Sequence, residues 1–210
     1  MNASDFSPVA VSFQAIGTLL LCLMLAQIGR IFAWRYARTW ALAWLSMFIA
    51  LTAVRIYIQL HHPRTWIGYL MPEWAFLVLL YSGCRDLASG KPIQWRHALY
   101  AIPPAFVLAA IMARLAPSFN DLFTAQAAIM AAGIAASYVI LGTSPRDRRS
   151  TAWGSLRIAL AMLALLYAAY VPLYYTHMHI RPVQLLEYSS LADLLLSIFL
   201  GFAMILVTAE

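Results

Sequence analysis

Lysine occurs once in this chain, at Lys91, and Asp and Glu together number only 8. Charged residues make up 10% of the chain against about 25% in an ordinary soluble domain. Water is therefore not this protein's main solvent. Because Lys91 lies between two apolar runs, the last helix has no lysine to hold retinal as a Schiff base. Cysteine is nearly as scarce. Cys22 falls inside the first apolar run and Cys84 at the end of the third, at different depths, so both read as packing residues rather than a disulfide. A Walker A loop, a GxSxG turn and an HExxH helix are all missing, which removes the common signatures of nucleotide, serine-hydrolase and zinc-protease chemistry. The opening MNASDFSPVAVSF has no basic region of the kind that precedes a cleavable signal core, so the first apolar run should stay as a membrane helix. Low-complexity segments and linkers are also absent.

What the chain does have is apolar residues, 63% of the total, in runs long enough to cross hydrocarbon about 30 Å thick. Uninterrupted stretches bounded by charges, Pro or Gly predict spans near 8–31, 39–60, 66–84, 98–116, 121–142, 153–175 and 185–208. The fold class that follows is an all-α integral membrane protein, one compact bundle of seven helices joined by short connections. The formal net charge of +6 does not point to nucleic acid, because nearly all basic residues fall between apolar runs. They mark topology instead. Arg30, Arg35, Arg38, Arg85, Lys91, Arg96, Arg146, Arg148, Arg149 and Arg157 lie on one side, and Arg55, Arg64, Arg114 and Arg181 on the other. Ten of the 14 basic residues thus share a side, which predicts an outside N-terminus and a cytoplasmic C-terminus. Trp34, Trp66, Trp95 and Trp153 near span ends are expected to anchor at the membrane interface. The last span runs to Glu210 with no basic anchor after it, as in a chain cut from a longer one or ending bluntly at the membrane surface.

An ionisable group inside a bilayer costs about 2.5–3.5 kcal/mol on insertion scales, so each needs a partner or a purpose. Arg55 near the outer end of span 2, Glu73 in span 3 and Asp193 in span 7 share one zone, roughly 7–13 Å below the outer surface. The tight turn LHHPRT brings spans 2 and 3 together, so Arg55 and Glu73 are expected to meet as an ion pair, with Asp193 a second acceptor. Such a pair either fixes helix packing or serves ligand binding or proton sensing. Asp193, in the helix leading to the cytoplasm, would couple an outer event to motion, by pairing with Arg55 or by taking up a proton. Aromatic groups crowd the same zone: Tyr57, Tyr69, Trp74, Tyr167, Tyr170, Tyr174, Tyr175 and Tyr188. Tyr167, Tyr170 and Tyr174 fall on one face of span 6, which Pro172 interrupts. They line a pocket open to the outside, or they pack and anchor. The ligand-binding or switch candidates are Arg55, Tyr57, Glu73, Trp74, Tyr170, Tyr174, Tyr188 and Asp193.

His61, His62, His177 and His179 also lie on the outer side, and neutral imidazoles bind zinc or copper. Their HH and HxH spacing matches no metal signature, so exposed loop histidines are the plainer reading. No catalytic residue, metal or cofactor is expected. Span 5 carries small residues at Ala128, Ala132 and Ala136 and at Gly133 and Ser137, which let helices approach within the bundle or in a homodimer. Pro103 and Pro104 should kink span 4.

Three stretches, GRIFAWRYARTWALAWLSMFIAL, LLYSGCRDLASGKP and LADLLLSIFLGFAMILVTAE, carry a resemblance. The basic turn leading into Trp40 and Trp44, and a final helix with an acidic residue and a Leu-Gly run, resemble the seven-helix N-terminal sensor modules of bacterial signalling proteins. In such modules the last helix leads to a cytoplasmic output domain, a GGDEF-type diguanylate cyclase or a histidine kinase. The resemblance implies a multi-pass sensor or receptor of the bacterial inner membrane. It would detect a small ligand or other cue on the outer side and relay it to an output domain absent from these 210 residues. Other readings are a small transporter, a structural subunit of a membrane complex, or a membrane enzyme using the outer histidines with Asp193. The Pro-Gln dipeptides of small seven-helix sugar carriers do not occur, and spans 1–3 do not align with spans 5–7.

Overall fold

The computed structural model describes residues 8–60, 65–91, 93, 95–116, 119–143, 150–176 and 182–209; of these, the side chains of 8–10, 58–60, 65, 95–99, 101, 119, 120, 176 and 182–190 lie outside the description. Seven α-helices make up the described residues, with no strand among them. They are α1 (Pro8–Ile31), α2 (Arg35–Leu60), α3 (Thr65–Ser89), α4 (Trp95–Leu115), α5 (Phe119–Gly142), α6 (Thr151–Thr176) and α7 (Pro182–Ala209). Six of them, all but α4, are long and apolar enough to cross a membrane. The chain is an α-helical bundle of multi-pass membrane type. In α4 the apolar part of the described residues is shorter, Ile102–Leu115.

Each predicted span has its helix, and the differences lie at the ends. A span ends where charge begins, but a helix ends where its backbone is capped. Thus α3 runs past Cys84 through Arg85 and Asp86 to Ser89. It is closed by Gly90, whose φ of 68° suits glycine and whose N–H donates to the Asp86 carbonyl at 2.7 Å. The α1–α2 turn bends at Ala33 (φ 56°), and the Arg38 Nε caps α1 by donating to the Gly29 carbonyl at 3.0 Å. Helix α4 is continuous through Pro103 and Pro104, and α6 continues past Pro172 to Thr176.

The helices pack as a closed ring in the order α1, α2, α3, α5, α6, α7 and back to α1, with α4 outside it against α3. Helices α3 and α5 run parallel within that ring. Glu73 meets Gln126, and further along both helices Leu77 meets Gly133, where a Cβ would come within 2.8 Å of the leucine. The core is closed by Trp40 and Trp44, both fully buried, and by Phe76, Leu80, Met130 and Leu160. Trp66 and Trp153, expected at the interface, are buried in the bundle instead, since they lie on helix faces turned towards neighbouring helices. Trp34 stacks between Phe32 and Tyr36. Cys22 and Cys84 are buried and free. On α5, Ala128, Ala132 and Ala136 face outwards, while Gly133 and Ser137 face the bundle.

Gly83 sets the approach of α2 to α3. A Cβ there would overlap Nε1 and Cδ1 of Trp40, a ring with no exposed surface and hence no room to yield. Gly154 in α6 faces open space. Gly83→Ala should therefore destabilise the bundle by about 1–3 kcal/mol. Gly154→Ala should be neutral or gain up to about 1 kcal/mol of helix propensity. Unfolding of the detergent-solubilised protein measures both, and equal stabilities would show that Trp40 does not pack on Gly83.

Candidate functional site

One polar cluster occupies the part of the ring where α3, α5, α6 and α7 meet. Glu73, two turns into α3, is buried, with only 4% of its surface exposed. Its Oε2 accepts a hydrogen bond from Nε2 of Gln126 on α5 at 2.5 Å. Gln126 is itself 1% exposed, and its Oε1 accepts from the Trp74 indole N–H at 2.7 Å. A further side-chain hydrogen bond joins Tyr69 to Glu73, one helical turn apart on α3. An apolar span can hold such groups only if they satisfy one another, because hydrocarbon offers no substitute partner.

Asp193 on α7 completes the cluster. Its Oδ1 accepts from the Tyr170 hydroxyl on α6 at 3.2 Å. The carboxyls of Glu73 and Asp193 are close enough for their charges to act on each other, and both act on Tyr69 and Tyr167. Tyr167, Tyr170 and Tyr174 are buried, as their shared helix face predicts, and pack edge to face at 5.7 and 5.9 Å. Phe123 of α5 closes on Tyr174 at 4.6 Å. Tyr175, one residue on, is 78% exposed.

Arg55 does not join this cluster. It is exposed and donates through Nη1 to the Ser12 hydroxyl on α1, and no ion pair joins it to Glu73 or Asp193 among the described residues. The reason is angular: shared depth does not imply a shared face. Arg55 leaves the bundle at its rim, where a long side chain can extend towards the surface, whereas Glu73 points into the ring. Tyr57 packs edge-on against Trp66 at 5.7 Å. Tyr188 lies on α7, but its side chain is outside the described residues, as are His61, His62, His177 and His179. Gln126 is the member that sequence reasoning missed. Its signal was available, since it is the one amide inside the otherwise small and apolar fifth span.

Two carboxyls, an amide and several phenols, with no cation bonded to either carboxyl among the described residues, can hold a proton or a small cationic or hydrogen-bonding ligand. They also tie four helices together. Nearer its C-terminus α7 has a second tether, where the Trp44 indole N–H donates to Sδ of Met204 at 3.4 Å. Compared with protein-family models, curated proteins and solved structures, the chain matches none.

Proposed function

We propose that this chain is a sensor or receptor module of a bacterial cytoplasmic membrane, crossing it seven times with its N-terminus outside. A cue in the outer half changes the carboxyl–tyrosine cluster, and α7 relays the change towards a cytoplasmic output domain. The observation that carries this reading is the Tyr170–Asp193 hydrogen bond, which fastens α7 to α6 beside Glu73. Asp193 and Met204 are eleven residues apart, so the two tethers of α7 lie roughly 16 Å apart along its axis. Loosening the outer one leaves α7 held at its inner end, about which it can tilt or turn. A cue drives that motion only through different affinities for the two arrangements.

Seven crossings are supported by the parallel course of α3 and α5, which needs α4 to carry the chain back. With 21 residues, α4 is roughly 31 Å long, enough for the hydrocarbon. The orientation rests on the ten-to-four division of basic residues. A reporter active only in the cytoplasm, fused after Glu210, should be active, and an inactive, externally exposed reporter would reverse the orientation. The transporter reading needs Arg55, Glu73 and Asp193 to converge, whereas Arg55 stands on Ser12.

The relay is tested with spin labels on exposed Leu206 of α7 and exposed Ser89 of α3, at the same end of the bundle. The buried native cysteines are shielded from the labelling reagent. Tyr170→Phe should move the label-to-label distance by about 1–2 Å, the scale of helix shifts in switching proteins. An unmoved distance in folded protein would refute the relay.

A further inference from the structure

Gln14 on α1 stands apart from the hydrogen-bonded cluster. It falls in a buried stripe with Val11, Thr18, Leu21 and Leu25, spaced three and four residues apart along the helix. Gln14 is only 8% exposed, yet its amide makes no hydrogen bond among the described residues. A buried polar group left in that condition costs about 1–3 kcal/mol. This side of α1 meets α7, where Leu21 packs over Gly201 and a Cβ on Gly17 would come within 3.3 Å of Leu194. The two contacts set α1 and α7 side by side and parallel. Gln14 lies one turn before Gly17, and Asp193 directly precedes Leu194. The two polar residues are therefore within about one turn, roughly 5 Å, of each other along the bundle.

Asp193 faces the same interior. Exposed Leu191, Leu195, Phe202 and Leu206 mark the lipid face of α7, and Asp193 lies on the opposite face in line with Ser197 and Met204. Its Oδ1 takes the Tyr170 hydroxyl, while Oδ2 accepts no hydrogen bond among the described residues. Asp193 is nevertheless part-exposed, whereas Ser197 one turn further along α7 and Thr18 one turn beyond Gln14 are buried. Because the exposed surface of Asp193 is turned away from the lipid, it opens on a space within the ring that closes at Thr18 and Ser197.

The chemistry of the walls selects the occupant. Glu73 and Asp193 bring two carboxyls, with no cation bonded to either among the described residues. An anion would be repelled, and an uncharged guest would leave the carboxyls uncompensated. No three His, Cys, Asp or Glu side chains group to hold a metal ion among the described residues. An ammonium ion suits all of these groups, since its N–H bonds can be accepted by Asp193 Oδ2 and Gln14 Oε1 while its charge answers both carboxyls. We propose that the space between α1 and α7 binds a small primary ammonium ion, held by Asp193 and Gln14. The proposal deepens the sensor reading, on which it rests for the role of the ligand as the cue.

The test uses the full chain in detergent with Gln14→Cys and a thiol reagent that is itself a small ammonium ion, 2-aminoethyl methanethiosulfonate. The parent chain, whose two cysteines are buried, gives the blank. Each rate is divided by that of the same reagent with a free thiol. The ammonium reagent should then react about tenfold or more faster than its sulfonatoethyl counterpart, because a cleft lined by one sign of charge enriches the opposite sign by roughly 10–1000-fold. Asp193→Asn should bring the ratio close to one. A ratio near one in Gln14→Cys alone, a ratio that Asp193→Asn leaves unchanged, or an unreactive thiol in folded protein overturns the proposal. Ethylammonium chloride should slow the modification. Equal protection by sodium chloride assigns the space to a metal cation, equal protection by ethylene glycol assigns it to an uncharged guest, and either result sinks the ammonium site. On the parent chain, ethylammonium chloride should raise the unfolding midpoint above that in sodium chloride of equal ionic strength, and Gln14→Leu should abolish the rise; no rise in the parent, or the same rise in both, overturns the proposal. These readouts measure binding with no output domain and no movement of α7, so their failure is distinct from failure of the relay.

Discussion

Glu73→Leu and Gln126→Leu should each destabilise the bundle strongly, and the double variant should cost clearly less than the sum of the two. Removing the carboxyl leaves Nε2 of Gln126 and the Tyr69 hydroxyl without the acceptor they now have, inside a ring that water does not reach. Each abandoned buried group costs about 1–3 kcal/mol. Removing Gln126 costs similarly, because the Trp74 N–H loses its acceptor as well. The pairwise coupling should be smaller than these losses. Interhelical hydrogen bonds in bilayers average about 0.6 kcal/mol and reach about 1.7, because the unfolded chain in a membrane finds other partners. A double-mutant cycle on unfolding in detergent reads the coupling directly. Arg55→Leu with Glu73→Leu serves as the contrast and should be additive within about 0.3–0.5 kcal/mol, as for sites with no shared partner. Additivity in the Glu73–Gln126 cycle, or coupling in the Arg55–Glu73 cycle, would mean that the interior network is assigned wrongly.

That contrast marks the limit of what the sequence makes legible. Apolar runs locate helices, so all seven helices were visible, and i, i+3, i+7 spacing correctly grouped Tyr167, Tyr170 and Tyr174 on one buried face. Level along the bundle was legible too, from residue counts along each helix, since Glu73 and Asp193 do come together. Azimuth was not. Residue counts put Arg55 and Glu73 at one level, but apolar residues surround a membrane helix on all sides, so hydropathy does not tell the lipid face from the ring face. Neighbourhood was hidden for a similar reason. Chain order puts α4 between α3 and α5, yet α3 packs directly on α5 and α4 lies outside the ring. The Glu73–Gln126 bond depends on that arrangement, and short connections alone do not encode it. Trp66 and Trp153 went astray because tryptophan near a span end suits the interface and a helix–helix seam equally well.

Joined to a diguanylate cyclase domain, residues 1–210 should give a basal output that Tyr170→Phe and Asp193→Leu shift in the same direction. Either substitution removes the hydrogen bond between Tyr170 on α6 and Asp193 on α7, and so releases that tether of α7. If that bond forms in only one of two bundle arrangements, its loss shifts their ratio by its net worth. At about 0.6–1.7 kcal/mol, that is roughly a three- to eighteenfold change in the ratio. The double variant should shift output no further than the larger single one, because the same bond cannot be lost twice. Asp193→Asn tests what the carboxyl does beyond accepting. Its amide oxygen still takes the Tyr170 proton, so a tether that works only by hydrogen bonding should leave basal output near the parent's. The carboxyl beside Glu73 can no longer ionise in that variant, so a switch that works through the carboxyl pair should lose its response to the cue while the protein stays folded. Equal amounts of folded protein by size-exclusion chromatography are the control. Multiplying effects in the double variant would show that the two side chains do not act through one bond, and unchanged output in Tyr170→Phe, Asp193→Leu and their double variant would show that α7 reports nothing from this cluster and that Asp193 only packs.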